Sequence, residues 1–157
     1  MKSAVERGNR VSIRIDHPDG EGFRRFLVEA GKDCLLDLGV RRGELSLALL
    51  DDPSIRALNR LWRKKDAVTD VLSFPAGEMP GAISARKLLG DVAISLDTAR
   101  ARAHRGRITV QQELRRYLVH GILHLLGYDH RHPVEAKAMA ALEKRLLGSR
   151  GLIPQGR

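Results

Sequence analysis

The chain has 157 residues, 43% hydrophobic and 30% charged, with a net charge of +9. That balance excludes a disordered segment, and no apolar run reaches the length of a membrane span. The single cysteine, Cys34, excludes an internal disulfide, and the opening MKSAVERGNRVSIRID lacks the apolar centre of a secretory signal, so the expected setting is the cytoplasm with no membrane partner.

Residues Val11 to Ile15 alternate apolar and polar side chains and are expected as a strand. From Phe23 to Leu38 the apolar positions recur at helical spacing, and Gly39 supplies a stop. Cys34 falls in the apolar run CLLDLG and is expected as a buried small residue. Leu45 to Leu50 is a second strand. Asp52-Pro53 has the form of an N-cap followed by proline at the first helical position. The helix it opens is expected to turn Ile55, Leu58, Leu61 and Trp62 to one face and to end in Arg63-Lys64-Lys65-Asp66.

Val71 to Phe74 is a short strand closed by Pro75, which suits a sheet edge or a strand end. Residues 76–87 contain two glycines and a proline and are expected as a mobile loop. Leu89 to Ser95 follows as a strand, and Asp97 to His104 as a short helix stopped by Gly106. Thr109 and Gln112 form a T-x-x-Q capping box. It opens a helix running to Leu126, with Gly127 as a left-handed stop. Pro133 starts a last helix with Met139, Leu142 and Leu146 facing inward. The order β-α-β-α-β-β-α-α-α predicts one α+β domain over residues 1–150, a mixed four-stranded sheet packed with about five helices, and a frayed tail over 151–157.

The chemistry concentrates in His120-Gly-Ile-Leu-His124-Leu-Leu-Gly127-Tyr-Asp-His130, on the late helix expected to be central. Residues four apart lie on one helix face, so His120 and His124 can offer two imidazoles to one ion. A positive φ at Gly127 would reverse the chain and return His130 to the same ion. Three neutral nitrogen ligands with an open fourth position form the catalytic pattern of zinc, although other divalent transition metals also suit imidazole. Zinc lowers the pKa of bound water to about 7. For one isolated histidine, a surface or core position would be the better expectation. Three of the six within eleven residues favour a single metal ion. His132 is expected to be exposed, and His17 and His104 receive no role.

The spacing resembles that of the metzincin zinc proteases, H-E-x-x-H-x-x-G-x-x-H, but Gly121 stands where they carry the glutamate that serves as general base. Asp129 could supply a carboxylate or orient a histidine, or be a solvated turn residue. The missing glutamate weighs against peptide hydrolysis more than against phosphodiester hydrolysis, where cationic stabilisation of phosphate can suffice. The charge points the same way: 28 basic against 19 acidic side chains favour a polyanionic partner, with an arginine-rich composition as the bland alternative. At 4% aromatic residues, contact with RNA is expected to run through the backbone and not through a base-stacking platform.

Three blocks in order carry a more specific resemblance. They are Leu58-Asn59-x-x-x-Arg63-x-x-Asp66-x-x-Thr69-Asp70-Val71-Leu72-Ser73-Phe74-Pro75, then Leu89-Gly-Asp-Val-x-Ile-Ser95, then the histidine motif. Together they are similar to the YbeY family of bacterial endoribonucleases. The resemblance implies a metal-dependent endoribonuclease specific for single strands. It further implies action on ribosomal RNA and the small ribosomal subunit, in 16S rRNA 3′-end maturation and ribosome quality control, with no DNA substrate. It implies that His120, His124 and His130 are the ligands of one Zn2+ and that Arg63 is a functional residue. We expect Arg63 to bind substrate phosphate and neutralise its charge in the transition state, and Ser73 to line the cleft and position the RNA. Lys64 and Lys65 are expected as solvated surface, with flanking phosphates as the alternative contact. Two other readings are a zinc metallopeptidase and a non-catalytic ribosome-assembly factor with a structural metal.

Overall fold

A computed structural model of the chain describes residues 8–77, 86–129 and 131–148. Strand β1 (Arg10–Asp16) leads through a single 3-10 turn, Glu21–Phe23, into helix α1 (Arg24–Asp37). Strand β2 (Gly43–Leu50), helix α2 (Asp52–Arg63) and strand β3 (Val71–Pro75) follow. Then come strand β4 (Lys87–Ser95) and helices α3 (Leu96–Gly106), α4 (Val110–Leu125) and α5 (Pro133–Gly148). The element order and the α+β class are those expected from the sequence. The expected loop over 76–87 and the tail over 151–157 lie largely outside the described residues.

The four strands form one mixed sheet in the order β1-β2-β4-β3. β1, β2 and β4 run parallel, and the helices supply their crossovers. β3 runs antiparallel to β4 and is an edge strand, which explains how Pro75 is tolerated at its end. One face of the sheet carries the main core. Leu45, Leu47 and Leu49 of β2 and Val92 and Ile94 of β4 pack there with Leu27 and Leu35 of α1 and Leu114, Leu118 and Ile122 of α4. Met139 and Leu146 of α5 close the same core. The other face is covered at one corner, where Ile55 of α2 meets Leu50, Leu72 and Ala93, with Leu58 and Phe74 partly buried beside them.

Three local expectations need correction. The N-cap of α2 is Asp51, whose carboxylate accepts from Ser54 N at 2.8 Å, and not Asp52. Asp52 is occupied elsewhere, accepting from Ser95 Oγ and Thr98 Oγ1, while its own N–H donates to Asp97. His17 joins this network through Nε2 to Asp97 at 2.8 Å, and its Nδ1 accepts from Asp19 N. The network ties the ends of β1, β2 and β4 together and gives His17 a structural task that its sequence neighbours did not suggest. Second, α3 ends on Arg107 in the left-handed region, φ +53°, so Gly106 is its last residue and not its stop. Third, Leu61 and Trp62 do not share the buried fate of Ile55; they are 69% and 64% exposed. The last turn of α2 touches the edge strand through Trp62 and Arg63, which contact Phe74 and Ser73, but leaves most of both apolar side chains in solvent. Cys34 is buried as expected, and burial pushes its thiol up to about 12, too high to yield a nucleophilic thiolate.

Gly90 sets the edge of the sheet. Its φ is +129°, and a Cβ there would lie 2.2 Å from Phe74 O and 2.8 Å from Ala76 N. The backbone of β3 therefore reaches β4 only because residue 90 has no side chain. Gly90→Ala is expected to lower the unfolding free energy by roughly 1–3 kcal/mol, as read by urea denaturation. A variant as stable as the parent would contradict this account of the strand pair.

Candidate functional site

Helix α4 begins with the expected capping box: Thr109 Oγ1 accepts from Gln112 N, and Gln112 Oε1 accepts from Thr109 N. It ends in a Schellman turn. Tyr128 N donates to Leu123 O and Gly127 N to His124 O, with Gly127 at φ +96°. The turn reverses the chain directly after His124. His120 and His124 lie one turn apart on the same face, and their Nε2 atoms are 3.0 Å apart. His130, the third expected ligand, lies outside the described residues. Among the described residues no group of three or more His, Cys, Asp or Glu could hold a metal ion.

A partner that the sequence reading missed is Glu143 on α5. Its Oε1 lies 2.6 Å from His120 Nδ1. A carboxylate can only accept, so Nδ1 carries the hydrogen and a neutral His120 presents the Nε2 lone pair toward His124. Two nitrogens each about 2.0–2.1 Å from one tetrahedral zinc would stand roughly 3.3 Å apart, so the pair is close to the spacing a shared ion needs. The donor chemistry fits: two imidazoles with their ε-nitrogens converging and one tautomer fixed from behind. Glu143 lies 23 residues from His120 with no motif joining them, and only the packing of α5 on α4 brings it there.

Gly121 explains the departure from the protease pattern. A Cβ at this position would meet Val92 Cγ1 at 2.6 Å and Ser73 Oγ at 3.3 Å. Ser73 Oγ in turn donates to Gly121 O at 3.1 Å. Helix α4 thus lies directly against β3 and β4, and a glutamate at 121 has no space to occupy. The expected contact of Ser73 with the site is present, but as the hydrogen bond that fastens the edge strand to the histidine helix.

Arg63, the last residue of α2, reaches over this edge. Its Nη2 donates to Ser73 O at 2.5 Å, and its guanidinium lies 5.3 Å from the centre of the Phe74 ring. The loop between α2 and β3 is held from three points. Asn59 Nδ2 donates to Ala67 O, Arg56 makes a two-pronged pair with Asp66, and Asp70 takes Arg102 Nη1 at 2.6 Å. Lys64 caps α2 in the left-handed region at φ +57°, which turns the chain sharply after Arg63. These contacts give the block Asn59, Arg63, Asp66 and Asp70 a common purpose: they shape one loop around one arginine.

The result is an open cleft of about 730 Å³ lined by Arg63, Lys65, Thr69, Ser73, His120, His124, Tyr128, Asp129 and Arg131, among others. Asp129 pairs with Arg131 at 3.2 Å on its rim. His132 is exposed and outside the lining, as expected. The cleft therefore unites His120, His124, Arg63 and Ser73, four of the five site residues named from sequence. A cationic rim beside converging imidazoles suits an anionic group brought to the histidine pair.

Fold and cleft together define an α+β domain in which a histidine-bearing helix lies beneath a cationic sheet edge. The model of the family described as Endoribonuclease YbeY matches residues 12–151, so the chain belongs to that family of endoribonucleases. An Endoribonuclease YbeY of Myxococcus xanthus is 52% identical over 145 residues, 92% of this chain and 49% of that protein. One from Anaeromyxobacter dehalogenans is 52% identical over 143 residues, covering 91% and 72%. One from Persephonella marina is 42% identical over 139 residues, covering 88% and 90%. The chain thus spans about half the length of the Myxococcus protein and most of the Persephonella protein. The solution structure of a Thermotoga maritima protein shares the fold, with a TM-score of 0.56 at 22% identity over 95% of this chain and 99% of that one.

The contact at Gly121 can be tested directly. Gly121→Ala is expected to destabilise the protein by roughly 1–3 kcal/mol, although alanine is the better helix former. In a Val92→Ala background the penalty should shrink, because the atom it strikes is gone. Equal penalties in the two backgrounds would place the strain elsewhere.

Proposed function

We propose that the chain is a zinc-dependent endoribonuclease that hydrolyses phosphodiester bonds in single-stranded RNA. Its cellular substrate would be ribosomal RNA of the small subunit, in 16S rRNA 3′-end maturation and ribosome quality control in the cytoplasm. The observation that carries the reading is the convergence of His120 and His124 beside Arg63 in one cationic cleft, in a chain whose relatives bear the name Endoribonuclease YbeY. His120, His124 and His130 would hold the metal. When bound, it would supply Lewis acidity toward a phosphoryl oxygen and an acidified water.

The chain's own residues supply the remainder. Arg63 can grip a phosphate with parallel N–H donors, and its bond to Ser73 O holds the guanidinium in place without side-chain rearrangement as charge builds on the phosphorus centre. Glu143 keeps His120 in the tautomer that offers Nε2. Lys65 and Arg131 lie on the cleft wall, where flanking phosphates would pass. The metallopeptidase alternative loses ground because Gly121 is packed against Val92 and cannot be exchanged for a carboxylate base.

Cleavage of a single-stranded precursor of small-subunit ribosomal RNA tests the activity. Arg63→Ala is expected to reduce kcat by about 10²–10³-fold with the fold intact by circular dichroism, and His120→Ala to abolish cutting. Parent and variants cutting equally would mean a contaminating nuclease, and a 2′,3′-cyclic phosphate on the product would rule out attack by water. The metal assignment has its own readout. Glu143→Gln is expected to weaken zinc binding by roughly 10–100-fold in competition with a chromophoric chelator. Unchanged affinity would remove Glu143 from any part in ligation.

A further inference from the structure

Trp62 is the chain's only tryptophan, and it stands 64% exposed beside Leu61, 69% exposed, on the last turn of α2. Its ring is not loose on the surface. Phe74 of β3 meets it edge-on, with ring centres 6.4 Å apart and planes at 66°. Such T-shaped pairs are a preferred aromatic geometry and fix the orientation of the exposed ring. The same Phe74 ring carries the Arg63 guanidinium 5.3 Å from its centre, and Arg63 lines the cleft with the histidines. Trp62 and Arg63 thus share the Phe74 ring, and Arg63 is also one of the residues that line the cleft with the imidazole pair.

We infer that Trp62, braced by Phe74, is a stacking site for a nucleobase of single-stranded RNA whose neighbouring phosphate lies at Arg63. The inference rests on the nuclease reading and adds to it the place where a base is held. The surrounding charge selects the occupant. Arg60, Arg63, Lys64 and Lys65 are all exposed within the same few residues as the ring. An apolar protein partner would have to desolvate them, whereas a polynucleotide offers a flat π-face to the indole and phosphates to the cations. The geometry also supplies a basis for strand selectivity. A base inside a duplex has both faces covered by its neighbours and cannot turn sideways onto a protein ring, while an unpaired nucleotide can. The low aromatic content pointed away from any stacking platform, yet one exposed indole at the correct place is sufficient to hold one base.

Because Trp62 is the only tryptophan, its emission reports on its own site. The experiment mixes the full chain with a short single-stranded oligoribonucleotide in a stopped-flow fluorimeter, so that binding is read before cleavage, and follows affinity separately by anisotropy of labelled RNA. The expected result is quenching by the single strand, and none by the same sequence in a duplex or by a fully abasic strand. Trp62→Ala should bind roughly five- to a hundredfold more weakly, and Trp62→Phe should retain most of the affinity. If the parent binds the single strand with unchanged emission and Trp62→Ala binds within about twofold of it, the stacking site is wrong. Trp62 is then better explained as a contact for a protein partner, and the nuclease reading stands. If the parent binds no RNA by either measure, the inference and the nuclease reading fail together.

Discussion

Helix α4 lies against strands β3 and β4 at a distance that leaves residue 121 no side chain, and the position of the site follows from that contact. With Val92 Cγ1 2.6 Å from where a Cβ would be, α4 is seated on the sheet by its backbone. The residues on either side of the contact, His120 and His124, then emerge at the sheet edge and not over its middle. A bulkier residue at 121 would have to displace Val92, Ser73 or the helix itself. The same contact removes the position at which the similarly spaced proteases keep their general base. One packing constraint thus brings the histidines to the edge strand and restricts the chemistry they can perform.

The edge strand is the second half of the arrangement. β3 has only one neighbour in the sheet, so its outer backbone groups need partners from elsewhere. Arg63 takes Ser73 O, and Ser73 Oγ reaches Gly121 O from the same residue. Ser73 therefore couples the arginine of α2 to the histidine helix through its own two oxygens. The loop from Lys64 to Asp70 is secured at Ala67, Asp66 and Asp70 by Asn59, Arg56 and Arg102. These contacts hold the guanidinium of Arg63 in one place at the cleft without help from a ligand.

The pattern of residues made most of this legible. The element order, the edge placement of a strand ending in proline, the capping box and the glycine turn after His124 all follow from local rules of spacing and backbone freedom, and the structure has each of them. What escaped was contact between distant segments. Glu143 meets His120 only because α5 folds back on α4, and nothing in the spacing of the histidine motif points 23 residues ahead. The N-cap of α2 was misplaced by one residue because Asp51 and Asp52 are chemically alike. Their contacts tell them apart: Asp51 accepts from Ser54 N, while Asp52 accepts from Ser95 Oγ and Thr98 Oγ1. Periodicity puts Trp62 on the same face as Ile55, but it cannot say how much of that face the sheet covers.

The exposed end of α2 is the feature that local rules of spacing describe least well. An apolar stripe whose last turn is only partly covered looks, in sequence, like one more turn of buried helix. In the folded chain it leaves an indole mostly in solvent, next to the arginine that shares the cleft with the histidines. Ile55 and Leu58 anchor α2 to the sheet, and the ring adds an edge contact with Phe74 while staying mostly in solvent. The exposed ring exposes apolar surface to water at a cost of about 25 cal/mol per Å². Such a surface stands here beside four exposed cations, Arg60, Arg63, Lys64 and Lys65, and next to the cleft that holds the histidine pair.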